Sequence, residues 1–176
     1  MDFMRSLLKD WKWPAIAVAV SAFMLTAAHA FETFGHLAPC PLCLRQREVY
    51  WALIAMTLTG LVLWRLVPKR RFLVALNMMI GLVFVVGVVV AFYHSGVEWG
   101  LLPPPAGCSG EGPIDPMAIQ DFSKPMQVPS CTDAPFYILG LSMAGWNGVI
   151  SAIMAVLSFI AAGATFRGAA DMTAAD

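Results

Sequence analysis

Four cysteines carry the chemistry this sequence can offer: Cys40, Cys43, Cys108 and Cys131. The first two form Cys40-Pro41-Leu42-Cys43, where a short polar connection meets a long apolar run. A Cys-x-x-Cys pair can close a small disulfide ring and open it again. Pro41 suits the first position of a helix, which makes Cys40 the residue that caps it. Cys43 then falls in the first turn, where free N–H groups and the helix dipole favour an anion. The thiolate is the nucleophilic form of cysteine. Arg47, four residues further on, shares the helix face of Cys43.

Three chemistries fit this pair: half of a zinc site, a static staple, or an exchanging redox couple. Zinc asks for four ligands, usually with a second close pair. Cys108 and Cys131 are 23 positions apart and no pair of histidines is near, so no metal is expected. A staple across four residues closes little chain and stabilises little. Redox exchange is the reading the spacing favours.

Cys108 and Cys131 differ in kind. They lie between His94 and Pro135, a stretch that holds eight of the twelve prolines together with five glycines. Such a composition makes a long loop. A bond between the two would close that loop and, by chain entropy, contribute on the order of 3 kcal/mol. Two readings stand: a structural staple, or a mobile disulfide offered to the thiol of a partner. Four cysteines allow three connectivities, and sequence does not choose among them.

The elements that must position these cysteines are membrane spans. Hydrophobic residues make up 59% of the chain and charged residues 12%, against about half and about a quarter in soluble domains. The balance of 11 basic and 11 acidic residues gives no sign of nucleic-acid binding. The 176 residues suit one domain over 1–176, an all-α membrane protein built as a four-helix bundle. Charge-free runs place spans at about 13–31, 72–94 and 144–163, near the roughly 20 residues a bilayer requires. The run from Val49 to Trp64 is short for a span. It becomes adequate when the helix begins at the cysteine motif, giving a second span at about 42–66. The basic start, apolar core and Ala28-His29-Ala30 also have the look of a cleaved signal peptide. The length of the run and the spans that follow favour an uncleaved first helix.

The loop between spans 3 and 4 covers about 95–136. Within it, Ile114, Met117, Ala118 and Phe122 fall at helical spacing. They describe either a short helix on the membrane surface or a chance pattern. Ser142 is a suitable cap for the fourth span. One side of this four-span chain carries Arg5, Lys9, Lys12, Arg65, Lys69, Arg70, Arg71 and Arg167, and the other carries Arg45, Arg47 and Lys124. The excess marks the cytoplasmic side. Both termini are then cytoplasmic, and all four cysteines face outward, where disulfides persist. In a bacterium that is the periplasmic side of the inner membrane.

Other residues carry two readings each. Arg47 would either snorkel to headgroups or serve the site beside Cys43, since ionisable residues in a span usually have a role. His94, ending the third span, is either a polar end group or a hydrogen-bond donor to a ligand at the depth of Cys43. Arg45 and Glu48 suit the interface, where Glu48 could pair with an arginine. Trp51, Trp99 and Trp146 suit the aromatic belt in contact with membrane lipid.

The order of these features resembles the disulfide bond formation protein B (DsbB) family of bacterial membrane thiol oxidases. The resemblance rests on four spans, Cys40-x-x-Cys43 entering the second, Arg47 four residues on, and two cysteines in a late outer loop. It is strengthened by Tyr93-His94 and by Leu139-Gly140-Leu141-Ser142-Met143 with Trp146. It implies that a reduced thioredoxin-like oxidase of the DsbA type attacks a loop disulfide at Cys108. Cys131 then leaves and exchanges with Cys40, and the electrons collect on Cys43 beside a quinone, ubiquinone or menaquinone. It also implies that Arg47 belongs to the quinone site. The related vitamin K epoxide reductase-like proteins place their loop pair before the Cys-x-x-Cys, whereas here it follows. Two rival expectations are a membrane thiol reductase of opposite electron flow and a non-enzymatic protein with structural disulfides.

Overall fold

The computed structural model describes residues 11–108 and 130–173, with side chains up to residue 167. Its element order is α1 (Lys12–Gly35), α2 (Pro41–Leu66), α3 (Arg70–Glu98), β1 (Tyr137–Ile138), β2 (Leu141–Ser142) and α4 (Met143–Thr173). All four helices are long and apolar enough to cross a membrane. The tail residues Arg5 and Lys9, Lys124 and the helical pattern at 114–122 lie outside the described residues.

Local chemistry sets the helix ends. α1 stops where His36 turns left-handed, at φ 53°, and its N–H closes on the Phe31 carbonyl. Pro41 occupies the first turn of α2, where its missing N–H costs nothing. Pro68 disfavours helical backbone at Val67, so α2 ends at Leu66. β1 and β2 form one antiparallel hairpin, with Tyr137 opposite Ser142. Its two turn residues, Leu139 and Gly140, both have positive φ, as a tight two-residue hairpin requires.

Packing follows stripes of helical period. α2 buries Leu42, Gln46, Tyr50, Leu53, Thr57 and Gly60. α4 buries small residues, among them Ala144, Ser151, Ala155, Ser158, Ala161 and Ala162. In lipid no hydrophobic drive separates helix from solvent, so small residues that let backbones approach give the packing its strength. The core holds Trp13, Leu53, Leu73, Ile80, Phe84 and Met154. The Trp13 indole donates to the Ser158 hydroxyl at 3.1 Å, tying the first helix to the last. Exposed side chains such as Phe23, Val62, Val89 and Val156 form the outer, lipid-compatible surface.

Gly81 shows how tight the α3–α4 contact is. A Cβ there would lie 2.8 Å from Cε1 of Phe159. Gly81→Val is therefore expected to destabilise the bundle by about 1–3 kcal/mol through overpacking. Gly163, with no neighbour within 4 Å of an added Cβ, should accept alanine without loss. Thermal unfolding in detergent compares the two; equal midpoints would refute the packing argument.

Several boundaries differ from the sequence reading, α1 running to Gly35 rather than 31 and α4 to Thr173 rather than 163. α3 runs one turn beyond His94 to Glu98, so the loop begins at Trp99 rather than 95. The other end of the loop is structured as the hairpin, and α4 starts at Met143, capped as expected by Ser142, whose hydroxyl accepts from Gly145 N–H at 3.1 Å.

Candidate redox site

The Cys-x-x-Cys geometry grows out of the α2 start. Cys40 is extended, at φ −75° and ψ 165°, and its sulfur accepts the Cys43 N–H at 3.2 Å. The Cys40 thiol donates to the Cys43 sulfur at 2.8 Å. That hydrogen bond, followed by burial, pushes the Cys40 thiol pKa up, so Cys40 keeps its proton. Cys43, the acceptor of the pair, is half-buried and borders the cavity. Both are free thiols.

Cys108 and Cys131 are joined in a disulfide, with Cα atoms 5.2 Å apart. The sequence left two readings for this pair in an exposed loop, a structural staple or a mobile disulfide. The structure instead buries both, at 0% and 1% exposure, against Cys40, Leu42 and Val97. The chain entering Cys108 folds back on α3. Leu101 and Leu102 N–H groups donate to the Gly96 carbonyl, and Tyr93 donates its hydroxyl proton to the Pro103 carbonyl at 2.9 Å. These bonds replace the apolar anchoring that the loop composition lacks. All four cysteines thus meet at one end of the bundle.

His94 joins the two pairs. Its Nε2 lies 3.7 Å from Cys40 Sγ, and the Cys131 backbone lies beside its ring. Its Nδ1 is 2.9 Å from Gln46 Nε2. Asn147 Nδ2 donates to Gln46 Oε1 at 2.6 Å, and the Tyr50 hydroxyl donates to Asn147 Oδ1. Every donor in this chain points toward His94, which leaves the ring proton on Nε2, facing the sulfurs. Glu98, one turn below His94, has its Oε1 3.7 Å from Nε2 and accepts from the Ser142 hydroxyl at 2.5 Å.

Arg47 is not free to snorkel. Its Nη1 pairs with Glu32 Oε2 at 2.5 Å and its Nη2 donates to the Ala28 carbonyl at 3.2 Å, both on α1. Arg45 and Glu48 pair at the surface, at 2.9 Å. A cavity of about 840 Å³ opens beside these groups. Its walls include Phe23, Met24, Phe31 and Ile150, while Cys40, Cys43, Arg47, His94 and Glu98 supply its polar groups. An apolar chamber with a few convergent polar groups suits a lipid-soluble aromatic ligand. The sulfur atoms of Cys40 and Cys43 and a ring nitrogen of His94 also lie within 4.8 Å of one another, a donor set compatible with a soft metal ion.

The structure thus brings Cys40, Cys43, Arg47, His94 and the loop disulfide to one place. Sequence reasoning missed Gln46, Tyr50, Asn147, Glu98 and Glu32. The signal for the first three was polarity inside a span, where buried amides and hydroxyls seek partners. Glu32 ends the first span at the boundary depth assigned to Arg47, which was the available hint of a pair.

The family model described as disulfide bond formation protein DsbB matches residues 10–161. A disulfide bond formation protein B of Dechloromonas aromatica is 35% identical over 150 residues, covering 78% of this chain and 84% of that protein. One of Aromatoleum aromaticum is 30% identical over 155 residues, covering 83% and 86%. An uncharacterised protein of Rickettsia prowazekii is 31% identical over 138 residues, covering 75% and 76%. No solved structure matches the chain significantly. With the family match spanning most of the four helices and all four cysteines, this chain belongs to the DsbB family of membrane disulfide bond formation proteins.

Proposed function

We propose that the protein oxidises a periplasmic thioredoxin-like dithiol protein of the DsbA type and passes the electrons to a membrane quinone. The observation that carries this reading is the convergence of the two cysteine pairs: the loop disulfide packs against Cys40, and Cys43 borders an apolar cavity.

The exchange balances as follows. A partner thiolate attacks Cys108 and releases the Cys131 thiolate. Cys131 attacks Cys40 in a closed Cys40–Cys43 bond and releases Cys43 as thiolate. The partner's second thiol then resolves its mixed disulfide and frees Cys108. Cys108 attacks Cys131, reforms the loop disulfide and frees Cys40. One partner dithiol becomes a disulfide, and one inner disulfide becomes two thiols. Because Cys108 is buried, the loop segment has to lift from Cys40 and Val97 before the first attack.

A bound quinone supplies an acceptor for two electrons and two protons. Cys43 faces the cavity as the outgoing sulfur, and Cys40 holds the proton that leaves when the pair closes. Arg47 is placed to donate to an oxygen in the cavity, and the Gln46–Asn147–Tyr50 chain holds His94 so that its Nε2–H does the same. The orientation of the termini toward the cytoplasm and of the cysteines toward the periplasm of a bacterial inner membrane is supported by the Lys and Arg count.

The test uses purified protein in detergent, a reduced thioredoxin-like dithiol protein and a soluble quinone. Quinone absorbance should fall with one quinone consumed per disulfide formed. No quinone consumption while partner thiols are oxidised would sink the quinone assignment. Neither change would leave the disulfides structural.

A further inference from the structure

The geometry points to a second ligand for the reduced site: a zinc-like divalent cation held by Cys40, Cys43, His94 and Glu98, which would arrest the oxidase in its reduced state. The inference requires only that Cys40 and Cys43 be reducible; it does not depend on what accepts their electrons.

The donors come as two close pairs. Cys40-x-x-Cys43 opens α2, and His94 and Glu98 share one face of the last turn of α3, four residues apart. Zinc bonds of about 2.3 Å to sulfur and about 2.0–2.2 Å to nitrogen and oxygen make tetrahedral edges of roughly 3.3–3.8 Å. Cys40 Sγ to His94 Nε2 is 3.7 Å, and His94 Nε2 to Glu98 Oε1 is 3.7 Å. The two sulfurs, at 2.8 Å, need to part by about 1 Å to reach the tetrahedral edge implied by those bond lengths, and the Glu98 carboxylate, which stands outside the 4.8 Å cluster of the other three donors, has to swing toward them, both by side-chain rotation. Two thiolates with an imidazole favour a soft or borderline cation over magnesium or calcium.

The partners that orient the ligands are already present. Metal-bound histidine characteristically donates its other N–H to a neighbour, and a ligating carboxylate is itself hydrogen-bonded. Glu98 has Ser142. His94 has Gln46, and the chain behind Gln46 is reversible. If both amides turn over, Nδ1–H donates to Gln46 Oε1, Gln46 Nε2 donates to Asn147 Oδ1, and Asn147 Nδ2 donates to the Tyr50 oxygen. Tyr50 then donates to Ser151 Oγ, 3.4 Å away. The chain from His94 to Tyr50 loses no hydrogen bond, and Nε2 presents a lone pair to the cation in place of its proton. Binding displaces the remaining thiol protons and occupies both sulfurs, so the pair cannot close. Closing the disulfide first removes both thiolates, so the oxidised site has no affinity.

The test uses a Cys108→Ala/Cys131→Ala protein in detergent without quinone, so that only Cys40 and Cys43 remain as thiols. Cobalt(II) added to the reduced protein should produce the thiolate-to-metal and tetrahedral ligand-field absorption, which zinc then abolishes. The same protein with Cys40–Cys43 closed should show neither. His94→Ala should weaken cobalt affinity by on the order of a hundredfold and Glu98→Gln by about tenfold. Absence of the thiolate band in reduced protein overturns the proposal. So does unchanged affinity in His94→Ala or in Glu98→Gln, which would reduce the binding to chelation by an adjacent dithiol.

Discussion

Replacing Arg47 by alanine is expected to slow quinone reduction about a hundredfold while leaving thiol exchange with the partner protein near the wild-type rate. The guanidinium has five N–H donors. Two are engaged, by Glu32 and the Ala28 carbonyl, which fixes the plane of the group against α1 and leaves donors for the cavity it lines. A donor held in place before charge develops stabilises a forming oxyanion by about 3 kcal/mol, or roughly a hundredfold in rate. The effect on folding should be far smaller. Arg47 is 15% exposed, but Glu32 is 40% exposed and can rehydrate, so loss of the pair costs little. Lysine keeps the charge and reaches Glu32 but loses the planar fork, so Arg47→Lys should be mild to moderate. The measurement is quinone reduction over a range of quinone concentrations, with partner thiol oxidation followed separately. Wild-type quinone kinetics in Arg47→Ala would confine the residue to holding α1 against α2.

Changing Cys131 to serine should abolish turnover and trap the partner protein on Cys108 as a stable mixed disulfide, whereas Cys108→Ser should trap nothing. The two sulfurs are chemically alike and equally buried, so the difference must come from their surroundings. The Cys131 backbone lies beside His94, which also contacts Cys40 Sγ. Cys131 is therefore the loop cysteine tethered to the inner pair, and Cys108 is the one left for a visitor. The experiment adds the partner in its disulfide form to spheroplasts, so that the free loop thiolate opens the partner's bond, forming the mixed disulfide and releasing one partner thiol, and resolves complexes on a non-reducing gel. Complex with Cys108→Ser instead would exchange the roles. Complex only after the membrane is breached would invert the topology.

Much of this architecture was legible because lipid is a demanding solvent. Charge-free runs had to be helices, and Pro41 and Ser142 marked where two of them start. The loop cysteines were legible as a pair only through the resemblance, and their burial was not. It depends on Tyr93 and Gly96 bonding to chain several residues away, contacts that composition does not announce. The extension of α3 to Glu98 was hidden by Gly96, which reads as a breaker but lies against Leu102, leaving no room for a side chain. The chain from Tyr50 to His94 was out of reach for a plainer reason. Its links join positions 48 to 101 residues apart, on three helices. Polarity within a span says that a partner exists, not which one.

The placement of Asn147 and Ser142 bears on how the protein is made. Cys40 to Arg47 are synthesised early, His94 to Cys108 midway, and the residues that lock Gln46 and Glu98 last. Until the final helix enters the bilayer, Gln46 has no Asn147 and Glu98 no Ser142. A chain stalled after its third helix would already carry two of the four thiols without an oriented imidazole. The redox centre and the membrane anchor are therefore not separable modules that a gene could split or a protease could divide. Insertion of the last span is itself the maturation step of the site.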